Sequence, residues 1–126
     1  MAMENNKNFV DVFHQLKGIL NKYESKLKIV HNTEEQYYLD TKHIDKRNKK
    51  PVFFGAAIIK KNYVSYHLFP VYVCPNLLDE ISDELKQRMQ GNACFNFKMV
   101  NKDLIKQLAE LTDKGFKKFQ EQKFIE

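Results

Sequence analysis

The run Val52-Phe53-Phe54-Gly55-Ala56-Ala57-Ile58-Ile59 constrains the fold more than any other part of the chain. Its β-branched and aromatic residues favour a strand. Apolar side chains stand at both parities, with Val52, Phe54, Ala56 and Ile58 on one face and Phe53, Ala57 and Ile59 on the other. A strand wetted on one side alternates apolar with polar residues. This one is expected at the centre of a sheet, shielded on both faces. Lys60-Lys61-Asn62 is a turn, and Tyr63 to Leu68 alternates beyond it. The link is too short for a crossover helix, so residues 52–68 predict an antiparallel hairpin.

The flanks supply helices. Phe9, Val12, Phe13, Leu16, Ile19, Leu20 and Tyr23 recur at threes and fours and predict an amphipathic helix over 9–23. Gly18 interrupts it, and close packing on a sheet would explain the glycine. Leu27 to Val30 reads as a short strand or as a helix continuation. Gln36 to Thr41 reads as a strand and His43 to Lys50 as a polar loop. Pro70 ends the ladder, having no N–H to donate. Asn76 can cap a helix carrying Leu77, Leu78, Ile81, Leu85 and Met89, ended by Gly91; alternatively Ser82 restarts a second short helix. Ala93 to Lys98 predicts a short edge strand. Asn101 caps a last helix with the stripe Leu104, Ile105, Leu108, Leu111, Phe116 and Phe119, and with i,i+4 pairs Lys106–Glu110 and Glu110–Lys114. The order is α+β, with helices on an antiparallel sheet. At 126 residues the chain is expected to be one domain, 1–126, with its core over about 9–120.

Composition excludes several classes. Hydrophobic residues at 43% and charged residues at 29% argue against disorder. No stretch approaches the ~18 apolar residues of a membrane span. Met1 to Asn6 has neither the basic nor the apolar region of a signal peptide, so a cytoplasmic protein is expected. Cys74 and Cys94 form no C-x-x-C pair and have no histidine at ligand spacing, so free thiols without zinc are expected. Cys74, just before Pro75 and a helix start, is the candidate for a reactive thiol.

Phe53-Phe54-Gly55-Ala56-Ala57-Ile58-Ile59-Lys60-Lys61-Asn62-Tyr63-Val64-Ser65-Tyr66 resembles the central hairpin of the domain of unknown function 1801 family. Glu84-Leu85-Lys86, then Gly91-Asn92-Ala93-Cys94-Phe95-Asn96-Phe97, then a helix opening near Leu104-Ile105, resemble the helix, glycine-led strand and C-terminal helix that come after the hairpin in that family. The resemblance spans about residues 9–120 and rests on packing motifs. It implies a small α+β domain with a curved antiparallel sheet: an N-terminal helix, a middle helical segment and a C-terminal helix pack on it. It implies no catalytic activity. Some members are described as frataxin-like iron chaperones of bacteria, which makes iron the inherited alternative cofactor. Many relatives place a lysine and a hydroxyl residue around the glycine-led strand, where this chain has Asn92-Ala93-Cys94.

Three groups of residues are candidates for chemistry. Asp79, Glu80, Asp83 and Glu84 would, on one helix, set Asp79 with Asp83 and Glu80 with Glu84 one turn apart, a set suited to a hard cation and to iron. The bland explanation is acidic residues near a helix N-terminus. Lys42, Lys46, Arg47, Lys49 and Lys50 cluster against one acid, Asp45, and are flanked by Tyr37, Tyr38, Phe53 and Phe54. Cations beside exposed aromatics on a sheet can hold single-stranded nucleic acid. No established nucleic-acid motif is present, and Phe53 and Phe54 read as core, so a solvated loop is expected there and nucleic acid is not the expected partner. Phe53, Ala57 and Ile59, joined by Tyr63 and His67, form the second sheet face. The 77–89 segment is the expected cover for it, with a homodimer partner or a small apolar ligand as alternatives.

His14, His31, His43 and His67 are scattered, with no carboxylate at fixed spacing to orient any of them. There is no G-x-S-x-G, P-loop or dinucleotide fingerprint. The expectation is a small cytoplasmic binding or interaction module that is not an enzyme and needs no cofactor. The alternatives are a frataxin-like iron-binding chaperone and a binder of polyanions or nucleic acid.

Overall fold

Helix α1 (Ala2–Asn21) leads into strands β1 (Lys28–Asn32), β2 (Gln36–Asp45), β3 (Lys50–Ile59) and β4 (Val64–Leu68). Two short helices, α2 (Phe69–Val73) and α3 (Asp83–Lys86), flank a 3-10 turn at Pro75–Glu80. Strand β5 (Cys94–Phe97) and helix α4 (Lys102–Glu121) close the chain. The computed structural model describes residues 2–126, with side chains from Asn8 onward. The five strands make one open antiparallel sheet in the order β1-β2-β3-β4-β5. Strands β1 to β4 lie beside their sequence neighbours because the links are short, and β5 returns beside β4 after the helical segment 69–93. The fold is α+β, and β3 is central.

Helix α1 packs on β3 and β4, and α4 packs beside α1 on the same face. Val12, Phe13, Leu16 and Leu20 of α1 and Leu104, Leu108, Leu111 and Phe119 of α4 are buried. They meet Tyr37, Leu39, Ala57, Tyr66, Leu68 and Phe95 from the sheet. Each buried valine, leucine or phenylalanine among them contributes about 1.5–3 kcal/mol of transfer free energy. Asn101 caps α4, its Oδ1 accepting the Leu104 N–H at 3.1 Å.

A bulge corrects the expected two faces of the central strand. Leu39 pairs with Gly55 and Asp40 with Phe53, so Phe54 is one extra residue on β3. Side-chain parity changes there. Val52, Phe54, Gly55, Ala57 and Ile59 all belong to the helix side; Ala57 pairs with Tyr37 and Tyr66, and Phe54 meets Phe116 and Phe119 edge-on. Phe53, Ala56 and Ile58 belong to the opposite side. Phe53 is therefore separated from Ala57 and Ile59, with which the alternation grouped it. Close approach explains Gly55, since a Cβ there would lie 3.0 Å from the His67 carbonyl oxygen and 3.1 Å from Leu20.

Other expectations also change. Residues 43–50 are not a loop: β2 runs to Asp45 and β3 starts at Lys50, around a turn with Lys49 at φ 60. The buried Thr41 hydroxyl donates to the Val52 carbonyl at 2.7 Å, holding the strands together across a second irregularity. Asn76 caps no long helix. Pro75–Glu80 is 3-10, Ile81 is extended, and Ser82 restarts the chain as α3 by accepting the Leu85 N–H at 3.1 Å. Gly18 is exposed with nothing within 4 Å of an added Cβ, so close packing does not account for it. Lys114 reaches Glu80 at 2.6 Å rather than pairing with Glu110.

Candidate functional site: the open face of the sheet

Both long helices lie on one face, and the middle segment does not cover the other. The 3-10 turn packs on α2 and α4, and α3 packs on α4. The expected cover by residues 77–89 is thus absent from the far face. Leu77, Leu78 and Ile81 are half-buried against the main core instead. The far face has a floor of small residues, with Ala56 and Ser65 buried at 0% and 1% exposure beneath larger neighbours.

A row of rings crosses this face. His31 of β1 meets Tyr38 of β2 edge-on at 5.8 Å, and Tyr38 stacks on Phe53 of β3 at 4.7 Å. Phe53 meets Phe69 at 6.1 Å, and Phe69 stacks on Tyr72 at 5.4 Å. Register puts the first three on one face: His31 pairs with Tyr38, and Phe53 joins them through its partner Asp40, two residues from Tyr38 on β2. Helix α2 starts directly after β4 and brings Phe69 and Tyr72 to the end of the row, where Phe69 turns the corner of the sheet and also meets Phe119 of the helix side edge-on at 6.5 Å. His31 and Tyr72 are exposed, and the rings between them are half-buried. Burial and then the Asp40 carboxylate push the Tyr38 phenol up, so it is protonated near neutral pH. Asp40 is itself raised by its own burial against the opposing pull of Lys28.

Beside the rings lies a polar group on β4 and β5. Ser65 Oγ is 3.1 Å from His67 Nε2, and Cys94 Sγ is 4.0 Å from the same nitrogen. The Cys94 thiol donates to Asn96 Oδ1 at 3.5 Å. Burial lowers the His67 pKa, and the Lys60 ammonium lowers it further. Burial raises the Cys94 thiol, outweighing the pull of Lys60. At pH 7 this is a neutral imidazole beside a protonated thiol. A nucleophile needs the opposite, a thiolate or a base oriented by a carboxylate. No carboxylate hydrogen-bonds the His67 ring among the described residues. Tyr63 stands apart, half-buried in a groove of about 370 Å³ with Arg88, Met89, Asn96 and Lys98.

One end of the sheet is basic and the other carries both charges. At one end Lys46, Arg47, Lys49 and Lys50 form the β2–β3 turn and are exposed. Asp45 shapes this turn: its Oδ1 accepts the Arg47 N–H at 2.9 Å, and its carboxylate pairs with the guanidinium at 3.2 Å. At the other end Lys60 and Lys61 lie on the β3–β4 turn and Lys98 comes directly after β5, beside Glu34 and Glu35 of the β1–β2 turn, where the Ile59 N–H donates to the Glu35 carbonyl at 2.8 Å.

The helix carboxylates are not assembled as expected. Asp79 and Glu80 end the 3-10 turn, Asp83 and Glu84 start α3, and the extended Ile81 between them removes the one-turn spacing. Glu80 is paired with Lys114, which holds its carboxyl below the usual range. Among the described residues no group of three or more His, Cys, Asp or Glu side chains is placed to hold a metal ion. Cys74 and Cys94 are both free and half-buried.

The expected site residues thus divide. Phe53 and His67 share the open face, Ala57 is in the core with Ile59 packed partly buried against it, and the basic cluster is a tight turn at the sheet's end. The alternation missed His31, Phe69 and Tyr72. A periodicity reading has no means of joining strand and helix residues into one row. No family model, no curated protein and no solved structure matches this chain. The resemblance to the 1801 family rests on the quoted residues alone. Among the described residues no helix is long and apolar enough to cross a membrane.

Proposed function

We propose that the chain is a non-catalytic, cytoplasmic binding module for a polyanion, held on the open face of its sheet. One observation carries this reading: a five-stranded sheet is covered by its long helices on one face only, and the uncovered face ends at the basic β2–β3 turn. The four cations of the β2–β3 turn oppose the single Asp45, and the whole chain carries a net charge of +5. Such a distribution attracts anions and speeds their capture. The neutral His67 and protonated Cys94 favour binding over chemistry at the same face.

The test is retention on immobilised heparin with increasing salt. The wild-type chain is expected to bind at low salt and to weaken steeply as salt rises, since each neutralised anionic group releases a counterion. Replacing Lys46, Lys49 and Lys50 together with Gln removes exposed charges without touching the core. That variant is expected to elute at clearly lower salt. Elution at the wild-type position would reject the basic turn as the anion contact.

A further inference from the structure

We infer that the polyanion is single-stranded nucleic acid, with its bases stacking on the ring row that crosses the open face; this rests on the polyanion reading above. Charge alone does not distinguish a nucleic acid from any other polyanion. The rings do. His31, Tyr38, Phe53, Phe69 and Tyr72 succeed one another with centroid separations of 5.8, 4.7, 6.1 and 5.4 Å, which leave no gap for a base between them, but the row ends in two exposed rings with free faces, His31 and Tyr72, the latter 56% exposed. A monomer gains little stability from an aromatic left in water. Bases, by contrast, present flat faces that stack on such rings with little regard to sequence.

The charges are placed to suit. Phe53 lies on β3, three residues from Lys50 at the basic β2–β3 turn. The row runs across the strands, from β1 to the residues after β4, and the basic β2–β3 turn lies to one side of it, so a backbone that follows the rings passes that turn. Opposing charges are few. Asp40 shares the face and is offset by Lys28, while Glu34 and Glu35 sit at the β1–β2 corner. A duplex hides its base faces inside the stack and would meet only the cations.

Fluorescence anisotropy with a labelled oligo(dT) of about 12 nucleotides, within the site sizes single-strand binders use, tests this against a duplex of the same length and against heparin. The chain has no tryptophan, so quenching of tyrosine emission reports stacking directly. The expected result is preference for the single strand, tyrosine quenching on binding, and at least about five-fold weaker oligo(dT) binding for Tyr72→Ala and for Tyr38→Leu. Heparin affinity should be unchanged in both. Tyr72 is exposed, so its variant decides the matter even if Tyr38→Leu unfolds. Equal binding of duplex and single strand, or ring variants with wild-type affinity, would overturn the inference and leave the polyanion reading standing. Failure to bind both heparin and oligo(dT) would remove the two together. Dissociation of a dimer by Tyr72→Ala, without nucleic-acid binding, would assign the face to a second copy of the chain.

Discussion

At the scale of residues, the clearest energetic commitment is the buried pair Tyr66 and Thr112. The Thr112 hydroxyl donates its one proton to the Leu108 carbonyl at 2.7 Å, so the Tyr66 hydroxyl donates to Thr112 at 2.6 Å. Burial pushes the Tyr66 phenol far up. Thr112→Val removes the acceptor and leaves a buried hydroxyl unpaired, with an expected loss of about 1–3 kcal/mol in urea unfolding. Adding Tyr66→Phe should recover part of that loss; a double variant less stable than the single would contradict the pairing. His67 makes a second commitment. Its folded pKa lies below the unfolded value, so the unfolded chain takes up a proton first as pH falls. The stability it contributes is complete above the unfolded pKa near 6.5 and is lost as pH drops toward the folded value. Ser65, Cys94 and Lys60 are the groups acting on it, and none offsets that proton. His67→Gln should flatten the fall in melting temperature between about pH 7 and pH 5; an unchanged slope would assign it elsewhere. Alternation placed Tyr66 on the apolar side of its strand, but Thr112 lies 46 residues away and only packing identifies it as the partner.

At the scale of elements, two glycines in helices make opposite demands. Gly18 of α1 is exposed with free space around it, so Gly18→Ala should stabilise the protein by about 0.5–1 kcal/mol through helix propensity. Gly115 of α4 lies against α2, where an added Cβ would come within 2.8 Å of the Pro70 ring. Gly115→Ala should destabilise despite the same gain in propensity, because neither the proline ring nor the helix backbone yields easily. Thermal melts of the two variants, moving in opposite directions, would check the α2–α4 contact. The hairpin, both long helices and the Asn101 cap arise from local patterns. The break at Ile81 was legible only as an alternative, since Ser82 suits a cap and Asn76 equally suits one.

At the scale of the whole molecule, the bulge at Phe54 determines which aromatic is core. Phe54→Asp should unfold the chain, because the ring is fully buried against Phe116 and Phe119. Phe53→Asp should leave it folded by circular dichroism, with a modest drop in melting temperature from the lost stacking on Tyr38 and contact with Phe69. Equal collapse of both variants would mean that the open face is structural. The free chain should sediment at 15.0 kDa across concentrations. The outer edge of β5 is occupied by residues 88–90, with the Asn96 N–H donating to the Arg88 carbonyl and the Gln90 N–H to the Cys94 carbonyl. The edge at β1 carries Lys28 and an irregular register between Ile29 and His31, both of which discourage strand addition.

The sequence by itself determined the α+β class, the central hairpin and the two long amphipathic helices, because each depends on contacts between near neighbours in a periodic pattern. Only the tertiary structure decided that both long helices share one face, that Phe53 and Phe54 part company, and that five rings from three strands and a short helix form one row. Alternation assumes an unbroken ladder, and a single extra residue at Phe54 exchanges the faces on either side of it. The pairing partner that creates that extra residue lies on another strand, beyond the reach of any local pattern.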